Sequence, residues 1–234
     1  MMRALLSTLA LFAAQIGHAH AAPPVPDTMA QRVMACTGCH GPQGRAASDG
    51  YYPRIAGKPA GYLYNQLVSF RDGRRPYALM TNLLAPLSDN YLREIAEHFS
   101  QLELPYPPPQ AANAGVDVLT RGEALVMRGD PALRIPACTQ CHGAALMGVA
   151  PAVPALIGMP RDYLNAQLGA WRAGTRHAMA PDCMAQVAKQ LAPSDISALS
   201  QWLAAQTVPA GAKPAATAVE PLPLPCGGVP GSPK

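Results

Sequence analysis

Two nearly identical heptads carry the residues of this chain best suited to chemistry, ACTGCHG at 35–41 and ACTQCHG at 137–143. Each sets two thiols and an imidazole in a C-x-x-C-H pattern, and together they use four of only six cysteines. Thiols three positions apart on one helical turn reach the two vinyl groups on one edge of a porphyrin. The histidine that follows then projects beneath the iron, which is why this spacing is the attachment sequence for c-type haem. Two other uses of such cysteines fit poorly. A redox disulfide across C-x-x-C belongs beside a βαβ pattern, and a zinc site wants a second cysteine pair at short range. Neither is present in the sequence. The motifs therefore predict two covalently bound haem c groups, one on Cys36, Cys39 and His40 and one on Cys138, Cys141 and His142.

A haem iron needs a sixth ligand, and its identity sets the chemistry. Met80 lies seven residues before Leu87, and Met184 seven before Leu191, each leucine preceding a helix pattern. This symmetry predicts Met80 and Met184 as the distal ligands. Met179 and His177 compete in the second half but have no counterpart in the first. Met34, Met127, Met147 and Met159 are expected as core filler. A ligating histidine is usually oriented by an acceptor on its other ring nitrogen. Pro53 and Pro154, in the matched segments Pro53-x-Ile55-x-Gly57 and Pro154-x-Leu156-x-Gly158, are expected to supply that carbonyl acceptor. Arg75 and Arg176 are candidates to offset the haem propionates, with solvated loop arginines as the alternative.

The elements that must position these residues repeat as well. Tyr52 to Arg75 superposes on Val153 to Arg176 at an offset of 101, matching Pro53, Gly57, Pro59, Tyr62, Leu63, Gln66, Leu67, Gly73 and Arg75 with identical residues. The chain is a tandem duplication. Each half predicts a short helix before its motif, opened by a capping box at Thr28–Gln31 or Thr120–Glu123. A second helix is expected over 62–70 and 163–171, between a proline and a glycine. A third follows from Leu92, Ile95, Phe99 and Leu102 and from Ile196, Leu199 and Leu203. No period-two alternation competes, so the fold class is all-α, with each small domain completed by an apolar cofactor. The proposed boundaries are a domain at 27–103, a linker at 104–113 that begins LPYPPPQ, a domain at 114–207, and a Pro/Ala/Gly-rich tail at 208–234.

Composition narrows the class. A formal charge of +4 with no basic run gives no case for nucleic acid. Arg3, the apolar run Ala4–Ala14 and Ala19-His20-Ala21 read as a signal peptide at 1–21, which predicts export to a periplasm.

With these residues in hand, the chain resembles the dihaem cytochromes c of the cytochrome c4 type. The likeness runs from about Asp27 to Thr207 and includes PRIAGKPAGYLYNQLVSFRDGRR and MTNLLAPLSD with their second-half partners. The resemblance implies two class I cytochrome c folds related by a pseudo-twofold axis, each with His/Met iron. It also implies an electron carrier rather than an enzyme. Its partners would be redox proteins, namely a donor dehydrogenase or quinol-oxidising complex and an acceptor terminal oxidase, met by transient docking at membrane complexes. A small-molecule substrate is not expected. Two alternatives remain, a subunit of a periplasmic dehydrogenase complex and a thiosulfate dehydrogenase with Cys183 as a haem ligand. The second half departs from the family by about ten extra residues around GDPALRIP and by Cys183 and Cys226, for which an oxidising compartment predicts a disulfide.

Overall fold

The computed structural model describes residues 25–47, 50–218 and 221–233. The signal-peptide assignment at 1–21 lies outside the described residues. The first half contains α1 (Met29–Arg32), α2 (Met34–His40), α3 (Ala60–Arg71), α4 (Ala78–Leu84) and α5 (Asp89–Ser100). The second contains α6 (Val116–Arg128), α7 (Cys138–His142), α8 (Arg161–Arg172), α9 (Cys183–Gln190) and α10 (Pro193–Ala204). Among the described residues the all-α pattern is interrupted by a two-residue ladder, β1 (Gly148–Val149) antiparallel to β2 (Val153–Pro154), and by isolated bridges between Asp130 and Ile135 and between Val149 and Ala215.

Two separate cores follow from the repeated apolar faces. Val33, Leu63, Leu84, Leu92, Ile95 and Phe99 close the first. Leu125, Val126, Ile157, Leu164, Leu191, Leu199 and Leu203 are among those closing the second. Thr28 caps α1 by accepting from Gln31 N at 3.3 Å. Thr120 does not cap: α6 begins four residues earlier, behind Gly115. The Thr-x-x-Glu signature there sits inside the helix, and Gly122 within it marks a close packing contact. A Cβ at Gly122 would lie 2.3 Å from the Ala198 carbonyl oxygen, so α6 and α10 cross almost backbone to backbone.

The methionine expectations divide. Met147 and Met159 are buried in the second core. Met34 and Met127 are not filler, being 59% and 42% exposed. Met34 opens α2, and Met127 stands in the last turn of α6.

The segment after α10 is anchored to both halves despite having no core of its own. Ala215 donates to Gly148 O at 2.9 Å and accepts from Ala150 N at 2.7 Å. Cys226 is disulfide-bonded to Cys183, and Gly228 O accepts from Asn65 of α3 at 2.7 Å.

Candidate haem-binding sites

Both C-x-x-C-H motifs form a terminal helical turn, α2 and α7, that ends at a glycine with positive φ, Gly41 at 73° and Gly143 at 80°. That left-handed residue turns the chain away at once, so the histidine closes the helix facing inward. His40 and His142 are 8% and 7% exposed. The Nδ1 of His40 lies 2.7 Å from Pro53 O, and the Nδ1 of His142 lies 2.7 Å from Pro154 O. A carbonyl only accepts, so Nδ1 carries the proton and Nε2 keeps its lone pair for a metal. Burial holds both imidazoles below the usual histidine range, against the proline carbonyls, which raise it; Arg75 lowers His40 further, and Lys58 lowers His142. Burial also pushes the Cys138 thiol up to about 12, and raises Cys36 and Cys141.

The distal candidates sit on matching short helices. Met80 lies in the first turn of α4, half-buried against the first core. Met184 lies in the first turn of α9, also half-buried, next to buried Ala185. The competitors Met179 and His177 are both exposed. Cys183 is consumed by the bond to Cys226. That overturns the thiolate-ligand alternative, because a disulfide sulfur carries no thiolate to give an iron.

Arg75 and Arg176 are neither solvated nor separate. They meet at a seam between the halves, as the duplication's own symmetry dictates. Arg75 donates to Gln66 of its own half at 3.0 Å, and across the seam to Gln167 at 2.7 Å and the Tyr163 hydroxyl at 3.1 Å. Arg176 returns the pattern, donating to its own Gln167 and across to Gln66 at 2.8 Å. Arg75 stacks on Phe70, and Arg176 on Trp171 at 3.6 Å. Backbone bonds seal the same face, from Tyr62 N to Pro151 O at 3.2 Å and from His177 N to Arg74 O at 2.7 Å.

The seam is rich in buried positive charge. Arg176 and Lys58 are buried here, and among the described residues no carboxylate pairs with Arg75, Arg176 or Lys58. Burial, then Arg75, lowers Arg176 to about 10, and burial lowers Lys58 to about 8. Tyr163, which burial alone would raise, is drawn down to about 8 by Arg75, Arg176 and Lys58. The Trp171 indole N–H is buried with no acceptor among the described residues. Unpaired buried cations and an orphaned donor are costly unless an anion completes them. Carboxylates carried on a porphyrin edge have the chemistry to do so, and the donor set fits haem.

Sequence matching displayed Tyr62, Gln66, Tyr163 and Gln167 only as repeated letters, without a role. Arg54 and Lys58 escaped entirely. Arg54, 3% exposed, donates to the carbonyls of Ala56, Leu104 and Pro105 and stacks on Tyr106, holding the linker beside Pro53. The available signal was the alignment itself: at 54/155 and 58/159 a cation faces a neutral residue.

Two helical cores, each presenting a C-x-x-C-H turn with an inward, proline-supported histidine, define a c-type cytochrome. A family model described as cytochrome c matches residues 120–207. Cytochrome c4 of Pseudomonas aeruginosa is 34% identical over 204 residues, which cover 86% of this chain and 98% of that protein. A protein named thiosulfate dehydrogenase electron acceptor, from Thiomonas intermedia, is 38% identical over 200 residues, covering 84% of this chain and 87% of that one. The crystal structure of reduced recombinant cytochrome c4 from Pseudomonas stutzeri aligns with a TM-score of 0.65 and 29% identity, covering 79% of this chain and all of that one. The chain belongs to the cytochrome c4-type dihaem cytochromes c, with covalently bound haem c, and it is an electron-transfer protein.

Proposed function

We propose that this cytochrome is an exported, periplasmic carrier that takes single electrons from a thiosulfate-oxidising dehydrogenase and passes them toward a terminal oxidase. Each haem is held by its cysteine pair, with His40 and Met80 or His142 and Met184 on the iron. Haem supplies a one-electron iron couple. The chain's own residues fix that couple's surroundings: imidazoles locked by Pro53 and Pro154, and thioethers presented by two short helices. Saturated His/Met coordination suits transfer without substrate binding. The disulfide at Cys183 carries this reading, since it leaves the second distal loop without a thiolate for catalysis. The donor is inferred from the Thiomonas relative's name and its identity along most of both chains. Dehydrogenases release electrons in pairs, and two one-electron sites on one chain receive a pair. Among the described residues no helix is long and apolar enough to cross a membrane.

The test is stopped-flow reduction of the oxidised, haem-loaded protein by a thiosulfate dehydrogenase supplied with thiosulfate. Rapid reduction of both haems at micromolar carrier is expected. Reduction no faster than the reaction with thiosulfate alone would remove this donor.

A further inference from the structure

Lys58 breaks the symmetry of the seam. It aligns with Met159 at the repeat offset of 101, and these two equivalent positions touch: Lys58 Nζ lies 3.5 Å from Met159 Sδ. The lysine is 6% exposed. The Tyr62 ring lies 5.8 Å from Nζ, and the ammonium interacts electrostatically with the Tyr163 hydroxyl and with His142 of the second half. A thioether is a weak acceptor, and among the described residues no carboxylate or carbonyl oxygen accepts from the ammonium. The long stem carries that charge out of the first half and into the wall of the second. Met159 is part of the second core and ends the segment 153–159, whose Pro154 carbonyl supports His142.

The remaining buried cations do not distinguish the halves in the same way. Arg75 and Arg176 are mutual equivalents and bond in a reciprocal pattern. Arg54 also faces a neutral equivalent, Ala155, but three carbonyl oxygens accept from its guanidinium and offset its charge. Lys58 is the unsymmetric cation without such acceptors.

We propose that Lys58, donated by the first half, raises the reduction potential of the second half's haem relative to the first and so biases a shared electron toward the second. A fixed positive charge favours the state holding one more electron, and a low-dielectric seam transmits that preference. Lys58 is thus a positioning residue for charge, acting on the haem through space. The proposal rests on the two-haem reading above but not on which donor delivers the electron.

The experiment is a spectroelectrochemical titration of the haem-loaded protein, with each potential assigned to its domain by haem-methyl NMR of the half-reduced state. Wild type, K58M, K58Q and K58R are compared. K58M makes the two aligned positions identical, and K58Q guards against a packing fault specific to methionine. In both, the second domain's potential is expected to fall relative to the first. The inter-haem equilibrium constant should change about tenfold, which is about 59 mV for a one-electron couple. K58R keeps the charge and should retain the wild-type separation. Equal shifts of both potentials, no shift, or a fall confined to the first domain would overturn the proposal. So would a K58R result resembling K58M. A single wild-type wave of two reducing equivalents would also overturn the proposal, whereas uptake of one equivalent per chain would overturn the two-haem reading itself.

Discussion

At the scale of single residues, the two imidazoles are oriented by the chain's own backbone. Each has its Nδ1 2.7 Å from a proline carbonyl, so the ring plane and the free lone pair are set by the loop rather than by the metal. The sulfur side is built differently. Met80 and Met184 stand on short helices, each in a first turn, so no packed ring network holds them. Replacing one should remove one ligand and leave the other haem intact. Met80→Ala is expected to abolish half of the methionine-to-ferric-iron charge-transfer absorbance and open the first iron to added imidazole. Met184→Ala should do the same at the second. Exogenous-ligand titration followed in the visible region checks this, and retention of full absorbance in either variant would show the assignment in that half to be wrong. The two C-x-x-C-H turns and the proline carbonyls behind their histidines were legible in the sequence, because the motif has one fixed spacing and its surroundings are repeated. The seam residues were not. Arg75 reaches Tyr163 across 88 positions and Arg176 reaches Gln66 across 110, and no local pattern encodes such a meeting.

At the scale of elements, the duplicated helices reproduce the repeat, with differences where packing overrode local signals. The second helices were read as 62–70 and 163–171 and extend to Ala60–Arg71 and Arg161–Arg172, one or two residues beyond the apolar pattern at each end. Proline and glycine punctuation is positional chemistry, so these elements could be read directly. Thr120 misled because a capping signature has no knowledge of what lies opposite. The close crossing of α6 over α10 demands Gly122, and the helix runs through the apparent cap. Gly122→Ala should therefore be unfavourable even though alanine is the better helix former. Forcing a methyl against the Ala198 carbonyl is expected to cost about 2 kcal/mol, within the range for overpacked contacts. Calorimetry should show a lowered transition for the second domain and an unchanged first. A stabilised variant would contradict this account of the crossing.

At the scale of the whole molecule, the halves are joined by three devices: the reciprocal arginine–glutamine seam, the linker gripped by Arg54, and the C-terminal segment. The last connects what the sequence left unrelated. Cys226 fixes the segment to the residue before Met184, and two residues later Gly228 binds Asn65 in the other half. A pairing of the two spare cysteines was readable from their number and compartment. The tail's route over both halves was not, because it is made of backbone bonds that proline, alanine and glycine form without side-chain signals. The disulfide closes a loop spanning 43 positions, for which chain entropy gives a stabilisation of at most about 4 kcal/mol. Cys226→Ser should lower the thermal transition and loosen the second distal loop first, seen as earlier loss of the second methionine bond on heating. Simultaneous loss of both methionine bonds would show that the segment does not act on that loop. The most direct test of the central claim is a stoichiometric reductive titration of the purified, haem-loaded protein, followed by absorbance. The account predicts two reducing equivalents per chain, with both irons low-spin in both oxidation states and methionine-bonded absorbance for two haems when oxidised. Uptake of a single equivalent, or one high-spin iron open to ligands, would contradict it.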